Sequence, residues 1–367
     1  MKKVLFTLTL LLVPAIIMAE SFSTLWKKVT EARQKDLPKT EISLLNNIIA
    51  KATTEDNYGH LIKAQLEKYH ACRLFNDEKV ASTIEEIKQK EAETQSKALQ
   101  AVYNCALGLI YQDLSQSNID PDKLSRPYFQ KAMASPDELA RHKTTELQPA
   151  FTLGLDSRIF NNDLLHVIGM YARDYNTLSK YYNAHGNRPA ACLMALKALQ
   201  ETRDKDTKVA RKSRYLHSLD SLIEVYRDIP EAGELAIERY NVISQTSDTS
   251  VENQINYINY ALSHWGKWSR MNVLRNALLD LQQPEFNISI GDRMLLPNVD
   301  RLIRINSIRN INELTVRVYK VNIAGSTKLY PSNTSGYAQL RRYIEPNAVQ
   351  TITRRYLGQP DWKECAD

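Results

Sequence analysis

The chain is poor in glycine and proline, with 11 and 13 of them among 367 residues. An all-β protein needs many tight turns, which these two residues favour, so their scarcity argues against an all-β chain. The frequent leucine, alanine, lysine and glutamate favour helices instead. Apolar residues make up 43% and charged residues 25% of the chain, which argues against wholesale disorder.

The local motifs of the common enzyme classes are also missing. There is no H-E-x-x-H zinc motif, no G-x-S-x-G elbow, no P-loop and no G-x-G-x-x-G fingerprint. His166 and His217 lie within amphipathic helical patterns, where a core or surface role is commoner than metal ligation. We therefore predict a protein that is not an enzyme, with no catalytic residue, no metal and no cofactor.

Long apolar runs are absent except at the N terminus, where residues 1–19 have the pattern of a signal peptide. Lys2 and Lys3 precede an apolar run, and Ala19 is the small residue that a signal peptidase favours. The run is short for an uncleaved membrane anchor. We expect an exported protein, in the periplasm or on the surface of a Gram-negative bacterium, with no transmembrane segment after cleavage.

The formal charge of +6 does not form a dense basic patch. Beyond the signal peptide, the basic excess falls in the last part of the chain, where Arg304, Arg309 and Arg317 are scattered through alternating patterns. A nucleic-acid interface needs clustered basic residues, so we predict no nucleic-acid partner.

The four cysteines at positions 72, 105, 192 and 365 lie far apart and form no C-x-x-C motif. In an oxidising compartment Cys72 and Cys105 could pair, since both fall on predicted helices of one neighbourhood. The alternative, which we favour, is that Cys72, Cys105 and Cys192 are small buried residues on apolar helix faces.

A helical hairpin at residues 171–200 is the central feature of the sequence. Aromatic and apolar residues at three- and four-residue steps give its first helix one apolar face, formed by Tyr171, Tyr175, Leu178, Tyr181 and Tyr182. Gly186 ends this helix, and Pro189 opens the next one. One hairpin cannot bury its own apolar face, so neighbouring segments should stack on it.

Pro38 and Pro230 begin segments with the same layout as Pro189, a helix led by proline after a short break. This layout is typical of a tetratricopeptide-like array, although the 41 residues between Pro189 and Pro230 predict irregular repeats. Further helices are predicted over 58–74 and 78–113, and another opens at Arg126.

Two polar or aromatic groups stand out within these helices. Asn162 or Asp163 is predicted to cap a helix, and a ligand role for this triplet with Asn161 is the less favoured reading. Trp265 and Trp268 lie at the corner of a hairpin over 251–283, where large aromatics usually pack the neighbouring unit. Stacking on a sugar is the alternative for them. We predict inter-unit or partner contacts for Trp265, Trp268, Tyr181 and Tyr182.

After Pro284 the apolar period changes from that of a helix to that of a strand. Runs at 302–306 and 314–321 alternate apolar and polar residues, with a turn at 310–313 between them, which predicts antiparallel sheet with one buried face. Fewer residues remain than the roughly 100 of a usual sandwich. The predicted fold is mostly α: a signal peptide (1–19), an irregular helical-hairpin solenoid (20–286) and a small, incomplete antiparallel β-sandwich (287–367).

Four segments carry a family resemblance through their order: FNNDLLHVIG at 160–169, YYNAHGNRPAACLMAL at 181–196, the Trp265 and Trp268 pair, and NSIRNINELTVRVYKVN at 306–322. Together they resemble the N-terminal region of the exported alpha-2-macroglobulin-like proteins of Bacteroidetes. The resemblance covers nearly the whole mature chain. It implies a helical repeat region followed by the first macroglobulin-type β-sandwich, in a protein that traps proteases or defends the envelope.

No functional residue can be transferred from that family. Some members capture proteases through a thioester in a C-x-E-Q motif, and none of the four cysteines here has that context. The resemblance implies a non-enzymatic N-terminal segment that supports protease inhibition through protein–protein contacts with proteases or the rest of a macroglobulin core. The alternative is a free-standing periplasmic or surface helical-repeat protein that binds glycan or peptide. A hydrolase ranks third.

Overall fold

The computed structural model describes residues 20–75, 78–114, 121–204, 210–245, 250–290, 303–323 and 338–356. The chain divides into two compact units, residues 1–232 and 233–367. The change from helix to strand predicted at 286/287 therefore falls inside the second unit. The signal-peptide prediction for 1–19 and Cys365 lie outside the described residues.

The described part of the first unit is mainly helical. Their bounds are α1 Phe22–Gln34, α2 Pro38–Thr54, α3 Tyr58–Phe75, α4 Glu78–Glu93, α5 Lys97–Leu114, α6 Pro121–Ala132, α7 Pro136–Arg141, α8 Leu164–Ala172, α9 Tyr175–Ala184, α10 Arg188–Asp204 and α11 Ala210–Tyr226. Short 3-10 turns lie at Thr144–Leu147 and Ser157–Phe160.

Most consecutive helices of this unit pack against one another, as expected for a stack of hairpins. The apolar faces of α1, α2 and α3 form one core, whose buried members are Leu25, Val29, Leu45, Ile48, Ala64 and Ala71. Pro38 occupies the first turn of α2, and Gly186 has a φ of 76° after the end of α9, both as predicted. The mostly α, irregular helical-hairpin fold is thus confirmed.

Three predicted helix bounds were wrong. The helix expected over 78–113 is broken at 94–96. The first helix of the hairpin, expected to start at Tyr171, is broken at Arg173, which has a φ of 55°. In both places a side chain caps the new helix, Ser96 for α5 and Asp174 for α9. The third helix begins at Pro121 and contains Pro127 within it. Capping residues without glycine are a weak sequence signal, which explains the first two errors.

The described part of the second unit contains three helices followed by strands. The helices are α12 Ala232–Ser244, α13 Val251–Trp265 and α14 Asn272–Gln282, with a 3-10 turn at Ser269–Met271. The strands are β1 Glu285–Ile290, β2 Ile303–Arg309, β3 Glu313–Val321 and β4 Ile344–Arg355. They confirm a small antiparallel β region after the helices.

The strands pair differently from the prediction. β1 pairs with β2 and β3 pairs with β4, both antiparallel, in two two-stranded sheets. The segment at 310–313 therefore joins two sheets and is not a hairpin turn. The Asn310 side chain explains this, because its amide donates to the carbonyls of Leu281 and Gln283 at 2.9 and 3.0 Å, which ties the segment to the end of α14.

Two further predictions concern the cysteines and membrane-spanning helices. Cys72, Cys105 and Cys192 are buried thiols, so the reading that we favoured is correct and the Cys72–Cys105 disulfide is not formed. None of the described helices is long and apolar enough to cross a bilayer.

Candidate functional site

Asp163 makes the central contacts of the polar turn before α8, which the sequence had singled out. It is buried and caps α8, since its Oδ1 accepts from the backbone N–H of His166 at 2.9 Å. The same oxygen accepts from the hydroxyl of Tyr182 at 2.8 Å. Burial raises the pKa of Asp163, although both hydrogen bonds act against that rise. The predicted cap is therefore Asp163, and its bonds tie α9 to the start of α8.

Further contacts stabilise the turn around Asp163. His166 stacks on Phe160 with ring centroids 3.6 Å apart. Thr144 donates its hydroxyl to the Asn162 and Asp163 carbonyls, both at 3.1 Å. Asp163 Oδ1 and the carbonyls of Asn162 and Asp163 are thus engaged within the fold, whereas Asn162 Oδ1 and Asp163 Oδ2 are buried without a hydrogen-bond partner among the described residues. The helix cap at Asp163 favours the structural reading over the ligand reading.

Acidification is expected to destabilise the fold through His166. Burial lowers the pKa of His166 to about 4, below the roughly 6.5 of an unfolded chain. The unfolded state therefore binds the proton first, so the stability is complete above pH 6.5 and is lost as the pH falls towards 4. We expect the free energy of unfolding to fall by about 3 kcal/mol across this window, measured by urea denaturation at each pH.

The comparison with His166→Phe isolates this contribution, because phenylalanine keeps a ring against Phe160. The raised pKa of Asp163 acts with the opposite sign in both proteins and cancels in their difference. His217→Gln changes an exposed histidine and should keep the wild-type profile. An identical pH profile for wild type and His166→Phe would contradict the prediction.

The four aromatic residues predicted to make contacts are placed mainly inside the fold. Tyr182 is buried against Asp163, and Tyr181 is half-buried with its ring stacked on His185 at 4.0 Å. Trp265 is 2% exposed and Trp268 is 9% exposed. The sugar-stacking alternative for the tryptophans is therefore wrong, because neither ring presents a free face.

Trp268 packs against the start of α12 within the second unit. Its indole N–H donates to Glu234 at 2.6 Å, and Arg270 pairs with the same carboxylate at 2.8 Å. A Cβ at Gly233 would lie 3.0 Å from the indole ring, so the helix and the ring are in close contact. Trp268 thus joins the start of α12 to the 3-10 turn that precedes α14.

A cavity of about 510 Å³ lies between two loops of the first unit. One loop joins α2 to α3 at residues 55–57, and the other joins α4 to α5 at residues 94–96. The apolar part of its lining is Ala52, Leu61 and Leu99, with the ring of Tyr58 beside them. A concave site of this volume with an apolar floor is typical of small-ligand sites.

Tyr103 lines this cavity and carries an unsatisfied polar atom. Its side chain is 2% exposed, and its hydroxyl has no hydrogen-bond partner among the described residues. Burial first, and then the neighbouring Tyr58 and Glu93, raise the pKa of Tyr103, so the hydroxyl stays protonated and can donate. A buried donor of this kind lowers the stability of the fold by about 1–3 kcal/mol until a partner accepts a hydrogen bond from it.

The rim of the cavity is polar, with hydroxyl, amide and carboxylate groups from Thr53, Asp56, Glu93, Thr94, Gln95 and Ser96. Glu93 accepts from Lys90 at 2.9 Å, which neutralises that carboxylate. Capping bonds shape both loops: the His60 N–H donates to Asn57 Oδ1 at 3.2 Å, and the Leu99 N–H donates to the Ser96 hydroxyl oxygen at 3.3 Å. This site could not be seen in the sequence while α4 and α5 were predicted to be one helix.

Two smaller cavities in the first unit are less suited to a ligand. In the cavity of about 310 Å³ near α1 and α3, Arg33 is already paired with Glu41 and Glu67, at 2.6 and 2.7 Å. In the cavity of about 300 Å³ beside α6 and α8, Arg173 pairs with Glu201 at 3.4 Å. Within the described residues, no group of histidine, cysteine or carboxylate side chains could hold a metal ion.

No protein-family model, no curated protein and no solved structure matches the chain. A function therefore has to be argued from the hairpin stack, the strands that follow it and the loop cavity.

Proposed function

We propose that the chain is an exported, non-enzymatic helical-repeat module that forms the N-terminal segment of an alpha-2-macroglobulin-like protein. It supports protease trapping or envelope defence through protein–protein contacts. The order of the fold supports this proposal, because stacked helical hairpins are followed by antiparallel strands, as the resemblance implies.

The observation that carries the proposal is the exposure of large apolar side chains on strands of both sheets. Phe286 and Ile288 on β1 are 45% and 50% exposed, and Val349 on β4 is 63% exposed. Large apolar side chains that remain exposed on a sheet often mark a protein interface. A following β-domain of the same protein is the partner that would cover them.

Val349→Asp should weaken the binding of the purified chain (residues 20–367) to the next β-domains by roughly tenfold or more. These domains would be produced from the reading frame beyond residue 367, and the affinity measured by titration calorimetry. The aspartate places a charge in an apolar contact, and the fold should be unaffected because Val349 is exposed.

Leu155→Asp is the matched control, since Leu155 is a fully exposed apolar residue of the first unit. It should bind like the wild type. A reading frame without further β-domains, or equal affinities for all three proteins, would contradict the proposal.

The second candidate is a free-standing periplasmic or surface helical-repeat protein that binds glycan or peptide. The loop cavity, which Tyr103 with its unsatisfied hydroxyl helps to line, favours this candidate, because small-ligand sites combine an apolar lining with a few polar groups that orient the ligand.

A further inference from the structure

We propose that the cavity between the 55–57 and 94–96 loops binds a neutral carbohydrate of about one or two sugar rings, as its volume allows. The inference rests on the second candidate function, whose ligand class it names. It does not depend on the macroglobulin resemblance.

The floor and rim of the cavity match the two kinds of surface that a sugar ring offers. A pyranose has an apolar face of C–H groups and an edge of hydroxyls. Leu61, Leu99 and the ring of Tyr58 supply an apolar floor and wall for the face. The hydroxyls and amide of Thr53, Thr94, Gln95 and Ser96 can each donate and accept at the edge, as sugar hydroxyls also do.

The Tyr103 hydroxyl is the specific anchor. It is buried, protonated and without a partner among the described residues. A sugar hydroxyl or ring oxygen that accepts a hydrogen bond from the Tyr103 hydroxyl would satisfy this group. This hydrogen bond would form only in the complex, so it adds to affinity without adding to the stability of the free protein.

The charge of the lining favours a neutral ligand over an anionic one. Lys90 is paired with Glu93 at 2.9 Å, and with Asp56 the lining has one more negative than positive side chain. Asp56 adds a carboxylate without an ion-pair partner among the described residues, which would repel an anion and can accept from sugar hydroxyls.

Titration calorimetry of residues 20–367 tests the proposal with maltose, cellobiose, xylobiose and N,N′-diacetylchitobiose. The tripeptide Ala-Phe-Ala and inorganic phosphate represent the other ligand classes. We expect saturable binding of at least one disaccharide, little affected by added salt because the ligand is neutral. Tyr103→Phe should weaken it by roughly five- to tenfold, the usual effect of one buried hydrogen bond.

Asp56→Asn and Asp36→Asn form a matched pair, since both aspartates follow a helix at positive φ, 49° and 53°, and asparagine tolerates that conformation. Asp56→Asn should weaken sugar binding, whereas Asp36→Asn should not. The melting temperature of unliganded Tyr103→Phe should equal or exceed that of the wild type, because the lost hydroxyl has no partner to lose.

Several results would overturn the proposal: no disaccharide binds, the tripeptide or phosphate binds in its place, Tyr103→Phe and Asp56→Asn bind like the wild type, or Tyr103→Phe lowers the melting temperature of the free protein. Each of them leaves the separate Val349→Asp experiment unaffected, so failure of the sugar site and failure of the macroglobulin proposal are distinguishable.

Discussion

Gly59→Ala is expected to lower the free energy of unfolding by about 3 kcal/mol, although this exchange usually stabilises a helix. Gly59 lies in the first turn of α3, against the chain at Leu147 and Gln148. A Cβ at Gly59 would lie 2.1 Å from the backbone oxygen of Gln148. Backbone atoms cannot rotate away as a side chain can, so the segment at Gln148 would have to separate from α3.

Urea denaturation at pH 7 measures this effect. Gly154→Ala is the control, because a Cβ there would meet only the Ser157 hydroxyl oxygen, at 3.6 Å. Its stability should stay within about 0.5 kcal/mol of the wild type. If Gly59→Ala is as stable as Gly154→Ala, the close approach of α3 to Gln148 is not present in solution.

Asp163→Ala should lower the free energy of unfolding by about 3 kcal/mol, because two contributions are lost together. Loss of the α8 cap costs about 1 kcal/mol. The Tyr182 hydroxyl would also lose its acceptor, and a buried donor left in this way costs about 1–3 kcal/mol.

Two comparisons separate these contributions. Asp174→Ala removes only a cap, that of α9, and should cost about 1 kcal/mol. Tyr182→Phe removes the donor, and combining it with Asp163→Ala should cost less than the sum of the two single changes, since they share one hydrogen bond. Equal costs for Asp163→Ala and Asp174→Ala would contradict the proposed role of the buried pair.

The helices and their caps were largely predictable, because the signals for them are local. The proline at the start of α2, the positive φ of Gly186 and the cap at Asp163 are set by residues within one turn. The breaks at 94–96 and at Arg173 were missed because serine and aspartate also occur within helices, and only the capping bonds distinguish the two uses.

The candidate site was not predictable in the same way. Its floor comes from α2, α3 and α5, and Tyr103 is separated from Tyr58 by more than a whole hairpin. Tyrosine at position 103 fits a helical pattern equally well whether its hydroxyl is bonded or not. The hydrogen-bond partner of a buried group depends on residues distant in sequence, and local periodicity carries no information about them.

The sequence by itself determined the order of helices and strands, a helix cap at Asn162 or Asp163 and the burial of the three described cysteines, because each depends on local periodicity or on a short-range hydrogen bond. Only the tertiary structure decided which strands pair, why the tryptophans are closed to ligands and where the loop cavity lies. These features arise from contacts between residues far apart in the chain, such as the one from Asn310 to the end of α14, and such contacts have no period in the sequence.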